Sequence, residues 1–141
     1  MELVFKINKG DFTNAGKASS TIKKMLKQLG VDNKIIKRVV VAVYEAEVNV
    51  VAHSFGGDLK AIFDNHGIEV VVRDSGPGIH NIDQAMTAGF STATEEVRTM
   101  GFGAGMGLPN IKKNTDEFNI ESKMGVGTTL TFRNSFNERS I

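Results

Sequence analysis

Three polar side chains in a long apolar segment are the first candidates for chemistry. Glu45, Asn49 and His53 are spaced four residues apart, so on a helix they lie one above another on a single face. Carboxylate and amide oxygens are ligands that magnesium accepts, and a glutamate can also polarise an attacking hydroxyl group. No lysine or arginine occurs in residues 39–59 to neutralise a buried carboxylate. The alternative interpretation is an ordinary solvated helix face.

A second candidate is the turn Asp74-Ser75-Gly76-Pro77-Gly78, which follows a β-branched run. Its carboxylate can accept a hydrogen bond from the amine of a base, and its glycines leave room for a flat ring near the backbone. Proline and glycine are also common in simple turns, so this segment alone does not distinguish a ligand site from a turn.

A third candidate is the glycine-rich run at residues 101–108, which leads into a predicted helix. Backbone amides in such a run can bind a phosphate, assisted by the positive end of the helix. The run is not a Walker loop, because no Gly-Lys-Ser/Thr follows it. It is not a Rossmann turn either, because no long parallel strand precedes it. A mobile loop without a ligand is the alternative.

The apolar pattern predicts the elements that must position these groups. Alternation in residues 3–7 predicts a strand, and residues 13–29 predict an amphipathic helix with Gly30 as its C-terminal cap. The β-branched start of the next segment would by itself favour a strand. Apolar residues nevertheless step by three or four throughout residues 33–55, which predicts a second, buried helix.

The rest of the chain predicts two hairpins around a helix. Residues 59–63 and 68–73 form the first hairpin, and residues 118–122 and 128–132 form the second. Between them we expect a short helical piece at residues 82–88 and a helix at residues 107–116. The fold class is therefore α+β, a two-layer α/β sandwich with a mixed, mostly antiparallel sheet covered on one face by helices. We expect one domain at residues 1–134 and a polar tail at residues 135–141.

Composition limits the classes of protein that are compatible with the chain. Its 141 residues suit one domain, and a net charge of +1 gives no electrostatic reason to expect a nucleic-acid or membrane partner. Cysteine is absent, which excludes disulfides and cysteine metal sites. The first residues do not resemble a signal peptide, and no apolar run approaches the ~20 residues that span a bilayer. These features predict a cytoplasmic protein.

Taken together, the three candidate sites resemble the GHKL superfamily of ATP-binding domains, which have the Bergerat fold. The asparagine box appears as residues 45–49, the first glycine box as residues 74–78 and the second as residues 103–107, and a closing strand begins at residue 127. Within the superfamily, the chain resembles the standalone anti-sigma-factor kinases and their switch-kinase branch at residues 89–92, 103–109, 112 and 116–118. The resemblance spans nearly the whole chain.

The resemblance implies a role for each residue. Glu45 is expected to be the general base, and Asn49 the residue that binds magnesium. His53 is expected to contact a phosphate, Asp74 the adenine amine, and Thr128 the adenine side of the pocket. Residues 89–107 are expected to form a lid over ATP. The other expected ATP-binding residues belong to the two glycine boxes and their neighbours: Gly76, Gly78, Ile79, Gly101, Gly103, Ala104, Gly105, Met106, Gly107 and Leu108.

The implied function is that of a protein serine/threonine kinase that uses ATP and Mg²⁺ in a bacterial partner-switching pathway. Its expected partner is a small antagonist domain of the anti-anti-sigma type. A sigma factor, a downstream signalling enzyme and a second copy of the chain are further candidates. A histidine kinase would need a phosphoacceptor helix pair upstream, whereas only twelve residues precede the first predicted helix. The alternatives are a nucleotide-controlled binding module and a scaffold domain; the presence of Glu45 favours catalysis, because binding alone needs no base.

Overall fold

The computed structural model describes residues 1–76, 82, 86 and 107–137. Within these residues the chain forms five strands and three helices. In chain order they are β1 (Glu2–Asn8), α1 (Lys17–Gln28), α2 (Asn33–His53), β2 (Gly56–Phe63), β3 (Gly67–Asp74), α3 (Gly107–Lys113), β4 (Glu117–Lys123) and β5 (Gly127–Ser135). Among the described residues, no helix has both the length and the hydropathy needed to cross a membrane.

The five strands form one sheet in the order β1-β2-β3-β5-β4. The predicted α+β sandwich is confirmed. The sheet, predicted to be mixed and mostly antiparallel, is antiparallel in all four pairings of the described strands. The connections explain the direction of the first three strands. Tight turns reverse the chain within the hairpins, and the two helices between β1 and β2 run out and back, so β2 returns antiparallel to β1.

Helices cover one face of the sheet. Alternate residues of β2 and β3, among them Leu59, Ala61, Val70 and Val72, are fully buried on that face. They pack with the apolar side of α2, and both α1 and α3 contact α2. The long segment predicted as a buried helix therefore forms the centre of the helical layer. Because α2 lies between α1 and α3, polar residues on its different sides can face either of these helices.

The ends of the two long helices follow local chemistry. Gly30, at φ +74°, donates its N–H to Lys27 O at 3.1 Å, and Val31 N donates to Leu26 O at 3.1 Å. This pair of bonds is a Schellman motif and confirms the predicted cap. At the other end, α1 begins at Lys17 and not at residue 13, because Gly16 adopts a left-handed φ of 98° that interrupts the helix.

Other element boundaries shift by a few residues. The second helix stops at His53 because the next residue, Ser54, is extended. The third helix stops at Lys113, since Asp116 N already donates to Arg133 O at the start of β4. The last strand continues to Ser135. Of the predicted helical piece at residues 82–88, only residues 82 and 86 are described; the rest lies outside the described residues.

Candidate active site

Helix α2 places two predicted residues on one face. Glu45 and Asn49 lie one turn apart, and both are half-buried. Opposite Glu45 is the first residue of α3: a Cβ atom added at Gly107 would lie 3.5 Å from Glu45 Oε2. The fold thus brings the carboxylate of the asparagine box against the end of the second glycine box. His53 is the last residue of α2, and its side chain lies outside what the structure describes.

The surroundings of Glu45 make it a suitable base. Burial raises the pKa of its carboxyl above the ordinary range of a glutamate. Within the described residues, no lysine or arginine forms an ion pair with it. A carboxylate with a raised pKa accepts a proton more readily at neutral pH than an exposed one does. The side chain of Asn49 makes no hydrogen bond within the described part of the chain, and its amide oxygen is of the type that magnesium accepts.

The second part of the site lies where β3 ends. Asp74 is half-buried, and its Oδ1 accepts a hydrogen bond from Thr128 N at 3.0 Å. Burial raises the pKa of the Asp74 carboxyl, while backbone N–H groups of Thr128 and Gly76 act in the opposite direction. A Cβ atom at Gly127 would lie 2.0 Å from Asp74 O, at a φ of +148°. Only glycine therefore allows β5 to approach Asp74 this closely.

Ser54, which the sequence did not single out, joins the end of α2 to this turn. Its Oγ donates to Val50 O at 3.0 Å and accepts from Gly56 N at 3.1 Å. A Cβ atom at Gly76 would lie 3.0 Å from both Ser54 Cβ and Asp74 Oδ1. A larger residue at position 76 would push the helix end and the carboxylate apart. A serine after an apolar helix is common, so its spacing carried no distinguishing signal.

Two further predicted residues take structural positions. Thr128 is buried, and its Oγ1 lies 2.9 Å from Ser122 Oγ, so the contact of Thr128 with Asp74 is made by its backbone N–H. Leu108 is buried in the hydrophobic core. Their roles in ATP binding stay predictions. The predicted lid up to residue 106 and seven predicted ATP-binding residues lie outside the described residues: Gly78, Ile79, Gly101, Gly103, Ala104, Gly105 and Met106.

Glu47 is the other residue whose structural role the sequence did not predict. Two residues along α2 from Glu45, it points away from the face of Glu45. It is 3% exposed, and it accepts hydrogen bonds from the backbone N–H groups of Gly16, Ala18 and Ser19 at 3.2, 3.1 and 2.8 Å. Glu47 therefore caps the start of α1, whose own N-cap residue, a glycine, has no side-chain oxygen.

Comparison with known proteins now decides the family. The family model of the histidine kinase-like ATPase domain matches residues 10–134. The chain belongs to this family. The match covers the described parts of both sites, from the α2 carboxylate to the β5 strand beside Asp74. The family relationship proposed from the three boxes is therefore confirmed.

Curated relatives support the same assignment. The chain is 29% identical over 123 residues to an anti-sigma F factor of Anoxybacillus flavithermus, covering 83% of this chain and 81% of that protein. It is 32% identical over 108 residues to the serine/threonine-protein kinase RsbT of Bacillus subtilis, covering 74% and 75%.

A solved structure supports the fold. The structure of the RsbU and RsbW domains of a Mycobacterium tuberculosis protein matches with a TM-score of 0.64 at 19% identity. The match covers 95% of this chain and 31% of that one, so the chain spans about a third of the solved protein. This likeness shows the fold alone.

Proposed function

We propose that the protein is an ATP-dependent protein serine/threonine kinase of a bacterial partner-switching pathway. The observation that carries the proposal is the position of Glu45, whose carboxylate faces the start of α3 one turn from Asn49. A binding site needs no proton acceptor at this point, whereas phosphotransfer to a hydroxyl group does. Membership of an ATPase family and the kinase among the relatives support the same function.

In the proposed reaction, ATP lies along α2. Asp74 accepts a hydrogen bond from the adenine amine, and the phosphates extend past Asn49 towards Glu45. The serine or threonine hydroxyl of the partner gives its proton to Glu45 while its oxygen forms a bond to the γ-phosphorus. The bond between that phosphorus and the β–γ bridging oxygen breaks, and ADP leaves with the bridging oxygen.

Magnesium fits this arrangement through Asn49, whose side-chain oxygen is a hard ligand with no hydrogen-bond partner in the described residues. When bound, the metal would neutralise charge on the phosphates. The described residues contain no group of three or more acidic, histidine or cysteine side chains that could hold a metal ion. Most of the other ligands would therefore be phosphate oxygens and water.

The proposed partner is a small antagonist domain of the anti-anti-sigma type, and a sigma factor, a downstream signalling enzyme and a second copy of the chain are further proposed partners. The direct test uses purified protein, ATP labelled at the γ-phosphate, and the anti-anti-sigma-type domain from the same gene neighbourhood. We expect one serine or threonine of that domain to be labelled. Mass spectrometry then identifies the residue.

A second candidate function is a binding module that nucleotide controls. Relatives named anti-sigma factors favour it, because that name describes binding to a sigma factor. The same assay separates the two functions. Protein that binds ATP and the partner but never transfers phosphate would establish the binding module and exclude the kinase.

The Asp74→Asn substitution is expected to weaken ATP binding by ~1–3 kcal/mol, because a charge-assisted hydrogen bond to the adenine amine is lost. Asparagine keeps an oxygen that can accept from Thr128 N, so the fold should persist. Calorimetry with ATP and with a purine nucleotide that lacks the exocyclic amine makes the measurement. An equal loss for both ligands would show that Asp74 supports the pocket and does not contact the base.

Chelation of magnesium is expected to weaken ATP binding at least about tenfold, because the proposed metal would neutralise charge on the phosphates and join them to Asn49. The measurement is calorimetry with ATP in magnesium and in EDTA. Asn49→Ala serves as the matched control, because it should lose most of the dependence on magnesium. Equal affinities of the intact protein in both buffers would contradict the proposed metal site.

A further inference from the structure

Basic residues are concentrated in one part of the chain. Residues 17–38, which include α1 and the start of α2, contain seven lysines and arginines and one acidic residue, Asp32. The other residues contain ten basic and fifteen acidic side chains, which leaves the whole chain at a net charge of +1. The small net charge therefore results from a strongly basic segment at residues 17–38 and an acidic excess in the rest of the chain.

Three helix ends bring this charge together in space. The Schellman turn at Gly30 connects the end of α1 to the start of α2. Arg38 on α2 pairs with Asp116, just beyond the end of α3, at 3.3 Å. We call the six exposed lysines at these helix ends the basic pole. They are Lys24, Lys27, Lys34, Lys37, Lys112 and Lys113. None of them forms an ion pair within the described part of the chain.

Helix stability explains only part of the basic pole. Lysines in the last turns of α1 and α3 are favourable, because they lie at the negative ends of those helices. Lys34 lies in the first turn of α2, at the positive end of the helix, where a cation is unfavourable, and no acidic residue lies in this turn. The position of Lys34 opposes the helix dipole, and Lys37 in the next turn gains nothing from it, so stability alone does not account for these two lysines.

The direction of α2 relates the basic pole to the candidate active site. Asp74 lies near the C-terminal end of α2, and Asn49, Glu45 and Lys34 follow in that order towards the N-terminal end. Lys34 precedes Glu45 by eleven residues, which is ~16 Å of helix at ~1.5 Å per residue. A partner whose hydroxyl group reaches Glu45 therefore lies beyond the γ-phosphate, on the side of the basic pole. A domain of ~100 residues has a radius of gyration of ~13 Å, so it is wide enough to cover both.

We infer that the basic pole is the docking surface for an acidic face of the phosphoacceptor domain. The inference rests on the proposed kinase function and names how the partner is recognised. Leu29, 50% exposed in the turn between α1 and α2, adds an apolar contact among the lysines. The acidic excess in the rest of the chain would repel a long polyanion or an anionic membrane, whereas a small acidic protein surface contacts the pole alone.

The test is the double substitution Lys34→Glu/Lys37→Glu, measured with the anti-anti-sigma-type domain from the same gene neighbourhood. Both positions are exposed, and a glutamate at position 34 is favourable at the positive end of α2, so the fold should be retained. We expect KM for the protein substrate to rise about tenfold, with kcat and the affinity for ATP unchanged, because charges at an interface act mainly on association. High salt should reduce the difference. The matched control is Lys6→Glu/Lys123→Glu, which makes the same change of charge on β1 and β4.

Calorimetric binding of the same domain with ADP present separates this inference from the kinase proposal. If the double substitution weakens binding but the intact protein transfers no phosphate, the docking surface is supported and the kinase proposal is contradicted. Phosphotransfer with an unchanged KM, an equal effect of the control, or absence of binding would overturn the docking surface. So would pole-dependent binding to phosphatidylglycerol vesicles or to a short DNA duplex with an unchanged KM.

Discussion

Glu45→Ala is expected to keep ATP binding and to slow phosphotransfer by ~10²–10⁴-fold, the usual contribution of a general base. Glu45 acts on the hydroxyl group of the partner, so its loss is felt mainly in the transition state. Asn49→Ala is expected to weaken both ATP binding and phosphotransfer, because Asn49 would hold the metal on the phosphates already in the bound state. Calorimetry and single-turnover transfer of labelled phosphate measure the two effects separately.

Glu45→Gln is the matched control, because glutamine has nearly the same size and cannot take up the proton. It should be almost as slow as the alanine variant. Transfer at the normal rate by either variant would show that Glu45 is not the base. A parallel loss of ATP affinity in both would show instead that Glu45 supports the pocket.

The pH dependence of the phosphotransfer rate gives a second test of Glu45 as the base. The base acts only when it is deprotonated, and burial raises the pKa of Glu45. With saturating ATP, kcat should therefore fall as the pH decreases, with an inflection above the ordinary glutamate range. Saturation matters because the pKa of Asp74 is raised as well, and its protonation would weaken nucleotide binding at low pH. The residual activity of Glu45→Ala should lack this inflection.

Periodicity was sufficient to predict the elements that carry the site. The four-residue spacing of Glu45 and Asn49 predicted a shared helix face, and two hairpin signals predicted most of the sheet. The position of Gly107 opposite Glu45 could not follow from spacing, because it depends on how α3 packs against α2. Only the family resemblance connected these two boxes before the structure did.

Features that depend on long-range contacts could not be predicted from the sequence. Nothing near Gly127 in the sequence indicates a steric role for it. A side chain at this position would nevertheless clash with Asp74 O, which is close in space and distant in the chain. The start of α1 was placed too early for a related reason. Residues 13–16 continue the helical pattern, but the acceptor that caps α1 is Glu47 on the next helix. Local sequence patterns contain no information about such a partner.

Glu47→Ala is expected to lower the free energy of unfolding by ~2–4 kcal/mol. Three backbone N–H groups at the start of α1 would lose their acceptor, and an unsatisfied buried group costs ~1–3 kcal/mol. Removing a buried carboxylate recovers part of its desolvation energy, which keeps the total below the simple sum. Urea unfolding followed by circular dichroism makes the measurement. Glu45→Ala, on the opposite face and with no hydrogen bond to a helix end in the described part of the chain, is the control and should change stability by less than ~1 kcal/mol.

Glu47 should also make the stability of the protein depend on pH in a predictable direction. Burial raises the pKa of Glu47 in the folded protein, and the three N–H groups only partly oppose the rise. A raised pKa means that the contribution of the group to stability is complete below its unfolded pKa and decreases as the pH rises through its folded pKa. The difference in stability between the intact protein and Glu47→Ala should therefore be larger in mild acid than at neutral pH. The raised pKa values of Glu45 and Asp74 occur in both proteins and cancel in this comparison. A difference that grows towards neutral pH would show that the three N–H groups outweigh burial and stabilise the charged carboxylate.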